Sequence, residues 1–236
     1  MFSRFKTNLK NFFLRLQPHR FLSFLTRPSL LFSNTLKLSK WIAENKNPGN
    51  KDHLGFADRE DLYKSINERF IANEAILYLE FGVFKGASIK WWANANNNSS
   101  SEFFGFDTFE GLPESWGVYE KGAFNALIPD ISDQRVHFVK GLFQDTLLSF
   151  LQNRGSVASD KRLVLHMDPD LFSSTLFVLT TIRPLLKKND IILFDEFFVP
   201  NDEFAAFEIF CRSYYISFEL LGATKNYVQT AIRITA

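Results

Sequence analysis

Five acidic residues stand at the ends of apolar runs that are typical of buried strands: Glu80, Asp107, Asp168, Asp195 and Glu196. In parallel α/β sheets, ligands bind outside the carboxyl ends of the strands, so we expect these side chains to converge on one edge of a sheet. Carboxylates that lie so close repel one another unless a hard divalent cation such as Mg²⁺ is held among them. The pattern predicts a ligand site with Asp168, Asp195 and Glu196 as metal candidates. The alternative is that Asp168 and Asp195 cap helices or bind neighbouring amides.

A two-glycine turn follows the apolar run Ile76–Phe81. Gly82 and Gly86 stand where the backbone leaves a strand, and glycine there permits φ > 0 and the close approach of another group. Glu80 is costly to bury, so we expect it to reach a donor on a ligand or in the turn. Asp107 lies 21 positions after Gly86, close to where nucleotide-binding α/β folds place the acid that binds ribose hydroxyls. One βαβ unit therefore predicts a nucleoside site, with an ordinary β-to-α turn as the alternative.

Strand and helix signals alternate along the main part of the chain, with helices predicted from Arg59 to Ala75 and from Ala87 to Ala95. Five runs are predicted as parallel strands, at residues 76–81, 103–107, 136–140, 162–168 and 191–196. The runs 215–224 and 226–235 are predicted to form a terminal antiparallel hairpin joined by a glycine-containing turn. The loop TFEGLPESWG follows Asp107 and is suited to close over a ligand, and Phe143 and Gln144 would stand beside the same crevice. This alternation predicts an α/β fold.

The first fifty residues differ from the rest in charge. Residues 1–51 hold ten Lys or Arg and one acid, a net +9, whereas the remainder holds 17 and 25, a net −8. Apolar residues recur at helical spacing from Phe2 to Trp41, and Pro18 and Pro28 are expected to end helices at or just before those points. We predict a basic helical extension over 1–50, packed as a lid or a dimer arm. An anionic membrane surface and an organelle presequence are the alternatives.

The polar segment 43–56, which contains Pro48-Gly49, is predicted to be a mobile loop at the boundary with one α/β domain over 51–236. His53 lies in this loop. The chain is long enough for such a domain and has 28 Phe, which argues against disorder. Its single cysteine, Cys211, cannot form an internal disulfide, which favours a reducing, cytoplasmic location. The net negative main domain argues against nucleic acid as a partner, and Arg15, Arg20 and Arg27 interrupt any transmembrane-length run.

Five motifs, in this order, resemble one known family: LYLEFGVFKGAS, FFGFDTFEGLPE, VKGLFQDTL, LHMDPDLFSST and IILFDEF. They are similar to the class I S-adenosylmethionine-dependent methyltransferases and, more narrowly, to the macrocin O-methyltransferase (TylF and MycF) family, over roughly residues 55 to 215. The resemblance implies a Rossmann-like, seven-stranded, mostly parallel sheet. Two positions depart from the family: Phe84-Lys85 replaces the usual Trp-Arg, and Glu196 stands where a second Asp is usual.

The resemblance also implies roles for individual residues. The methionine part of S-adenosylmethionine would lie at Glu80 and Gly82, and Asp107 would hold the ribose. The other cofactor contacts that it implies are Gly86, Ser88, Thr108, Phe109, Glu110, Gly111, Gln144 and Asp168. Asp168, Asp195 and Glu196 correspond to the family's magnesium ligands.

The implied chemistry is a direct displacement. The sulfonium carries an activated methyl group, so the protein chiefly aligns an acceptor hydroxyl and helps it to lose a proton. A metal at Asp168 would lower the pKa of that hydroxyl, which makes Asp168 a catalytic candidate. His53 is the second catalytic candidate. His53 and His166 are the possible proton acceptors, although His166 looks like a core strand residue, and the identity of the base stays open. The implied acceptor is a hydroxyl of a small molecule, a sugar-containing natural product or a glycan.

Two other classes remain open on sequence alone. A nicotinamide-dependent oxidoreductase would use the same turn and Asp107, but its fingerprint has three closely spaced glycines. The second class is a non-catalytic Rossmann-like protein that docks through its basic N-terminal arm. All the acidic residues of the expected site are present in this sequence, which argues against a non-catalytic protein. A homo-oligomer and peripheral membrane contact through residues 1–50 are further expectations.

Overall fold

The computed structural model describes residues 2–46, 54–154 and 161–236. Eight strands form one sheet: β1 Leu54–Phe56, β2 Ile76–Phe81, β3 Glu102–Asp107, β4 Val136–Lys140, β5 Arg162–Met167, β6 Ile191–Phe194, β7 Phe218–Thr224 and β8 Thr230–Ile234. Their order is β1-β7-β8-β6-β5-β2-β3-β4. Strand β8 runs antiparallel to β6 and β7, and the other paired neighbours are parallel. The carboxyl ends of β2, β3, β5 and β6 therefore lie along one edge.

The described α-helices are α1 Phe2–Arg15, α2 His19–Leu22, α3 Thr26–Asn45, α4 Arg59–Ile66, α5 Ala87–Ala95, α6 Phe143–Arg154, α7 Phe172–Ile182 and α8 Glu203–Tyr214. Helices on both faces of the sheet bury the central strands. Strand β2 shows this clearly, because Leu77 and Leu79 join one apolar cluster while Ile76 and Tyr78 join the other. A strand buried on both faces has a continuous apolar run, which is why the sequence pattern located it.

The sheet confirms the predicted Rossmann-like α/β fold with its terminal hairpin, but it has eight strands where seven were expected. The additional strand, β1, lies in the segment predicted as a mobile loop and pairs in parallel with β7. Three residues give no readable alternation, so this strand depends on its tertiary partner. The hairpin turn also differs from the prediction. Gly222 lies inside β7 at a shift in register, and the turn is the 3₁₀ segment Lys225–Tyr227.

Two predicted helix boundaries are wrong. The expected helix from Arg59 to Ala75 stops earlier, because α4 passes into a π-helical turn, Asn67–Ile71, and Ala72 then adopts φ 47°. Pro28 does not end a helix. It lies in the first turn of α3, where its missing N–H costs no intrahelical hydrogen bond, and the helix continues to Asn45.

The second half of α3 docks on the main domain. The Trp41 ring lies 4.9 Å from the Phe197 ring, and Lys37 pairs with Glu208 at 2.9 Å. The boundary predicted near residue 50 falls at 47–53, outside the described residues, and stays a prediction. None of the described helices combines the length and the hydropathy needed to cross a membrane.

Candidate active site

A cavity of about 1080 Å³ opens at the carboxyl ends of β2, β3, β5 and β6. Most of the residues that the sequence nominated line its wall. They are Glu80, Gly82, Ser88, Asp107, Thr108, Gly111 and Gln144, together with the carboxylates Asp168, Asp195 and Glu196. A cavity of this size at the edge of a parallel sheet is typical of a small-molecule or cofactor site.

The glycine turn is packed against protein rather than left open. Gly82 has φ 93°, and a Cβ built there would lie 1.9 Å from the backbone oxygen of Asp168. Gly86 has φ 75°, and its Cβ would lie 2.8 Å from Cγ of Pro129. Both positions therefore require glycine for conformation and for space. The predicted close approach is real, and the group that approaches Gly82 is the end of β5.

Asp107 fastens the turn to β3. Its Oδ2 accepts hydrogen bonds from the backbone N–H groups of Val83 at 2.8 Å and Phe84 at 2.9 Å. Its Oδ1 accepts a hydrogen bond from Phe109 N at 2.7 Å. Oδ2 therefore already accepts two hydrogen bonds, whereas Oδ1 accepts one and keeps a lone pair for a ligand. The residue thus has a structural role that the sequence did not predict.

Glu80 lies at the centre of a buried network. The Tyr78 hydroxyl donates to its Oε2 at 2.5 Å and also lies 2.7 Å from Nδ1 of His166. Nε2 of His166 lies 3.1 Å from the Tyr63 hydroxyl. Burial favours a neutral His166, but the carboxylates of Asp195 and Glu80 outweigh it and raise the pKa of His166 to about 10. At neutral pH the imidazolium can donate one N–H to each tyrosine.

Replacing Tyr78 with phenylalanine is expected to lower the free energy of unfolding by about 1 to 3 kcal/mol, because the buried Glu80 carboxylate loses its closest donor and keeps only Nδ1 of His166, 3.3 Å away. Denaturant titration measures the change. Tyr215→Phe is the matched control, since that ring is 90% exposed and its change should stay within about 0.5 kcal/mol. Equal stability of the two variants would contradict a structural role for the network.

Four carboxylates crowd the edge of the cavity formed by β5 and β6. Burial and the charge of Asp195 raise the pKa of Asp168 well above its usual range. Burial and the charges of Glu196 and Asp195 raise the pKa of Asp170 to about 7. Burial and Asp195 also raise the pKa of Glu196. The cluster therefore carries unfavourable mutual repulsion, which a cation would relieve.

Of these four carboxylates, Asp195 is the one that lies closest to cationic side chains. Its Oδ2 lies 3.3 Å from Nη1 of Arg59, and its Oδ1 lies 3.9 Å from Nε2 of His166. Burial alone would raise the pKa of Asp195, but these charges outweigh it and lower the pKa. Its Oδ1 is nonetheless buried and has no hydrogen-bond partner among the described residues. This orphaned acceptor, with carboxylates around it, has the donor chemistry that suits a hard cation.

The carboxylates at this edge do not form a complete set of metal ligands. Within residues 2–46, 54–154 and 161–236, no three His, Cys, Asp or Glu side chains are placed to hold one metal ion. The imidazolium of His166 and the guanidinium of Arg59 supply the counter-charge that Asp195 has in this structure. A metal at this edge would bind beside a resident cation.

Three nominated residues lie off the cavity wall. Gly86 is buried against Pro129. Phe109 has φ 55° and turns its ring into the core, 6.0 Å from the Phe138 ring. Glu110 points outward to Lys140 at 3.0 Å. A cofactor role for these three would have to use the backbone and stays a prediction, and so does that of His53, which lies outside the described residues.

Sequence reasoning missed several residues at the site. Tyr78 had a signal, since it precedes Glu80 by two positions and so shares its strand face. His166 was predicted as a possible base and a core strand residue, but its position opposite Glu80 depends on the β2–β5 register, which only the folded sheet defines. Arg59 was predicted only as the first residue of a helix, and its contact with Asp195 was not predicted. Glu203, at the start of α8, is fully buried and accepts a hydrogen bond from Glu196 N at 2.9 Å, and nothing in its sequence context indicated this.

The mouth of the cavity is aromatic. Trp116 and Tyr119 stack with ring centroids 5.7 Å apart, and Tyr119 lies 4.7 Å from Phe124. These rings belong to the long connection 108–135 between β3 and β4. The Trp116 indole donates a hydrogen bond to Asp202 at 3.1 Å, which ties the connection to the start of α8. Such a rim offers flat apolar surfaces to a second ligand above the sheet edge.

The sheet order and the position of the cavity define a Rossmann-like α/β methyltransferase fold. Residues 79–197, which are 119 of the 236, match the family model described as a methyltransferase domain. The chain belongs to this family, and the protein is a methyltransferase.

Solved structures agree with this fold. Calicheamicin methyltransferase CalS11 is 20% identical with a TM-score of 0.56, and the match covers 86% of this chain and 91% of that chain. The O-methyltransferase NovP is 21% identical with a TM-score of 0.57, covering 75% and 79%. At these identities the likeness establishes the fold alone. No curated protein matches the sequence closely enough to be a relative.

Proposed function

We propose that the protein transfers a methyl group from S-adenosylmethionine to a hydroxyl of a small molecule, a sugar-containing natural product or a glycan. The observation that carries the proposal is the cavity, which brings Glu80, Gly82, Asp107 and Gln144 together at one sheet edge. When bound, the cofactor supplies a methyl group already activated by a sulfonium. The carboxylate of Glu80 suits the ammonium of its methionine part, and the carboxylate of Asp107 suits ribose hydroxyls.

The aromatic rim supports the acceptor class. Sugars and aromatic natural products both present flat faces to rings such as Trp116 and Tyr119. CalS11, which shares the fold, is described as a TDP-rhamnose 3′-O-methyltransferase, and NovP as an O-methyltransferase. Membership of the narrower TylF and MycF family is part of the same proposal.

We also propose that Mg²⁺ assists the reaction at Asp168, Asp195 and Glu196. The support is the orphaned, buried Oδ1 of Asp195 within a set of crowded oxygen donors. A cation bound there would polarise the acceptor hydroxyl and lower its pKa. In this proposal Asp168 is a ligand that holds the cation beside the hydroxyl. A carboxylate bound to a metal is not free to accept the proton, so the identity of the base stays open.

Calorimetry with S-adenosylhomocysteine tests the cofactor part of the proposal. The wild-type protein should bind it, and Asp107→Asn should weaken binding by about 1 to 3 kcal/mol, because buried hydrogen bonds lose their partner. Asp130→Asn, at an exposed position off the cavity wall, should bind as the wild type does. Denaturation of both variants checks that the turn held by Asp107 remains folded. Undetectable wild-type binding at millimolar ligand would refute the proposal.

A further inference from the structure

The N-terminal arm, residues 2–32, exposes an unusual amount of apolar surface. Its twelve Phe and Leu side chains from Leu9 to Phe32 are each at least 45% exposed. They make up half of the 24 large apolar side chains that are exposed in the described chain. Scattered single residues of this kind are normal on a surface, but a continuous set marks an interaction site.

The arm is amphipathic and free of acidic residues. The exposed side chains of Leu9, Phe12 and Phe13 in α1 recur at helical spacing with Leu16 in the turn that follows, at i, i+3, i+4 and i+7. Leu16 N donates a hydrogen bond to Phe12 O at 3.1 Å, so the four side chains share one face. Lys10 and Arg15 fall on either side of that face at helical spacing. Across residues 2–32 there are six Lys or Arg and no Asp or Glu. An apolar helix face flanked by cations suits a partner surface that has an apolar layer covered by anionic groups.

The arm is attached next to the cavity. The part of α3 that follows the arm is held to the main domain by Lys37 and Trp41, as described above. Asn34 Nδ2 also donates a hydrogen bond to Asn201 Oδ1 at 3.0 Å. Asn201 adjoins Asp202, which accepts the hydrogen bond from Trp116 on the cavity wall. The attachment point of the arm therefore lies near the mouth of the cavity.

We propose that the arm docks on an anionic lipid surface, with its Phe and Leu face buried at the boundary between headgroups and acyl chains. Both features of the arm then have partners, because the rings enter the apolar layer and the cations meet lipid phosphates. Each Lys or Arg near such a surface strengthens binding by about fivefold at moderate salt. A second copy of the chain is a poorer occupant, since a two-fold contact would bring two cationic, acid-free faces together. This proposal stands independently of the methyl acceptor.

Sedimentation of the full-length protein with vesicles tests the proposal. Wild type should sediment with vesicles of phosphatidylcholine and phosphatidylglycerol, and much less with phosphatidylcholine alone. Phe12→Ser combined with Phe13→Ser should weaken binding at least about tenfold, and Lys10→Glu combined with Arg15→Glu at least as much. The matched control is Tyr214→Ser with Tyr215→Ser, two adjacent exposed aromatics at the end of α8.

Three results would overturn the proposal. The first is no sedimentation of wild type with the anionic vesicles, and the second is equal sedimentation of the wild type and the Phe12/Phe13 variant. The third is a wild-type dimer in analytical ultracentrifugation without lipid that this variant converts to monomer, which would assign the face to a second copy. Circular dichroism confirms that each variant keeps the helical content of the wild type.

Discussion

Gly82→Ala should reduce methyl transfer by about 100-fold and destabilise the protein, whereas Gly55→Ala should have a smaller effect on both. The two glycines have nearly the same backbone conformation, with φ 93° at Gly82 and φ 90° at Gly55. They differ in space: a Cβ at Gly82 would lie 1.9 Å from the Asp168 oxygen, and a Cβ at Gly55 has no atom within 4 Å. The pair therefore separates conformational strain from collision.

Strain alone is expected to cost about 1 to 2 kcal/mol in Gly55→Ala. Gly82→Ala should cost a further 1 to 3 kcal/mol or so, because the end of β5 must move to admit the methyl group. That movement displaces Asp168, and a shift of about 1 Å at a catalytic group can reduce turnover by about 100-fold. Denaturant titration and the release of S-adenosylhomocysteine measure the two effects. Equal stability and equal turnover of the two variants would show that the turn tolerates the displacement.

The fold was largely predictable from the sequence because parallel strands buried on both faces leave continuous apolar runs. Strand β2 and helix α5 have the bounds that the pattern predicts, and β4 does as well. Strand β1 could not be predicted, since three residues acquire strand geometry only by pairing with β7. The early end of α4 was also hidden, because a π-helical turn and a left-handed Ala72 have no strong sequence signal.

The candidate site was predictable in outline but not in its contacts. The rule that strand ends share an edge correctly brought together Glu80, Asp107 and Asp195 on one cavity. This rule does not predict the register between strands or the direction in which a side chain points. The positive φ of Phe109 sends its ring into the core, and only the β2–β5 register places His166 opposite Glu80.

The role of Arg59 is the least predictable feature and the most consequential. Crowded carboxylates at strand ends predict a metal, and nothing in the sequence indicates that the first residue of α4 supplies a cation instead. The structure places the guanidinium 3.3 Å from Asp195, on a side chain that is 45% exposed and so has room to move away. His166 also faces Asp195 but is buried, so the cation that can change at the cavity is either a metal or Arg59. These two assignments predict opposite results on chelation.

Asp195→Asn should remove Mg²⁺ binding and reduce turnover by about 100-fold or more, while leaving affinity for S-adenosylhomocysteine nearly unchanged. The substitution keeps the shape of the side chain and removes the charge that a hard cation requires. Calorimetric titration of Mg²⁺ into the complex with S-adenosylhomocysteine measures the metal effect without a known acceptor. Glu196→Asp should be tolerated better than Glu196→Gln, because the shorter acid keeps its charge.

Arg59→Gln discriminates between the two cations. If a metal is required, chelation with EDTA should abolish wild-type turnover, added Mg²⁺ should restore it, and Arg59→Gln should retain activity because the metal still neutralises Asp195. If Arg59 is the working cation, wild-type turnover should persist in EDTA and Arg59→Gln should lose it. Full wild-type turnover after exhaustive chelation would therefore refute the metal proposal. It would leave the methyltransferase with an internal guanidinium at the position where a magnesium ion was expected.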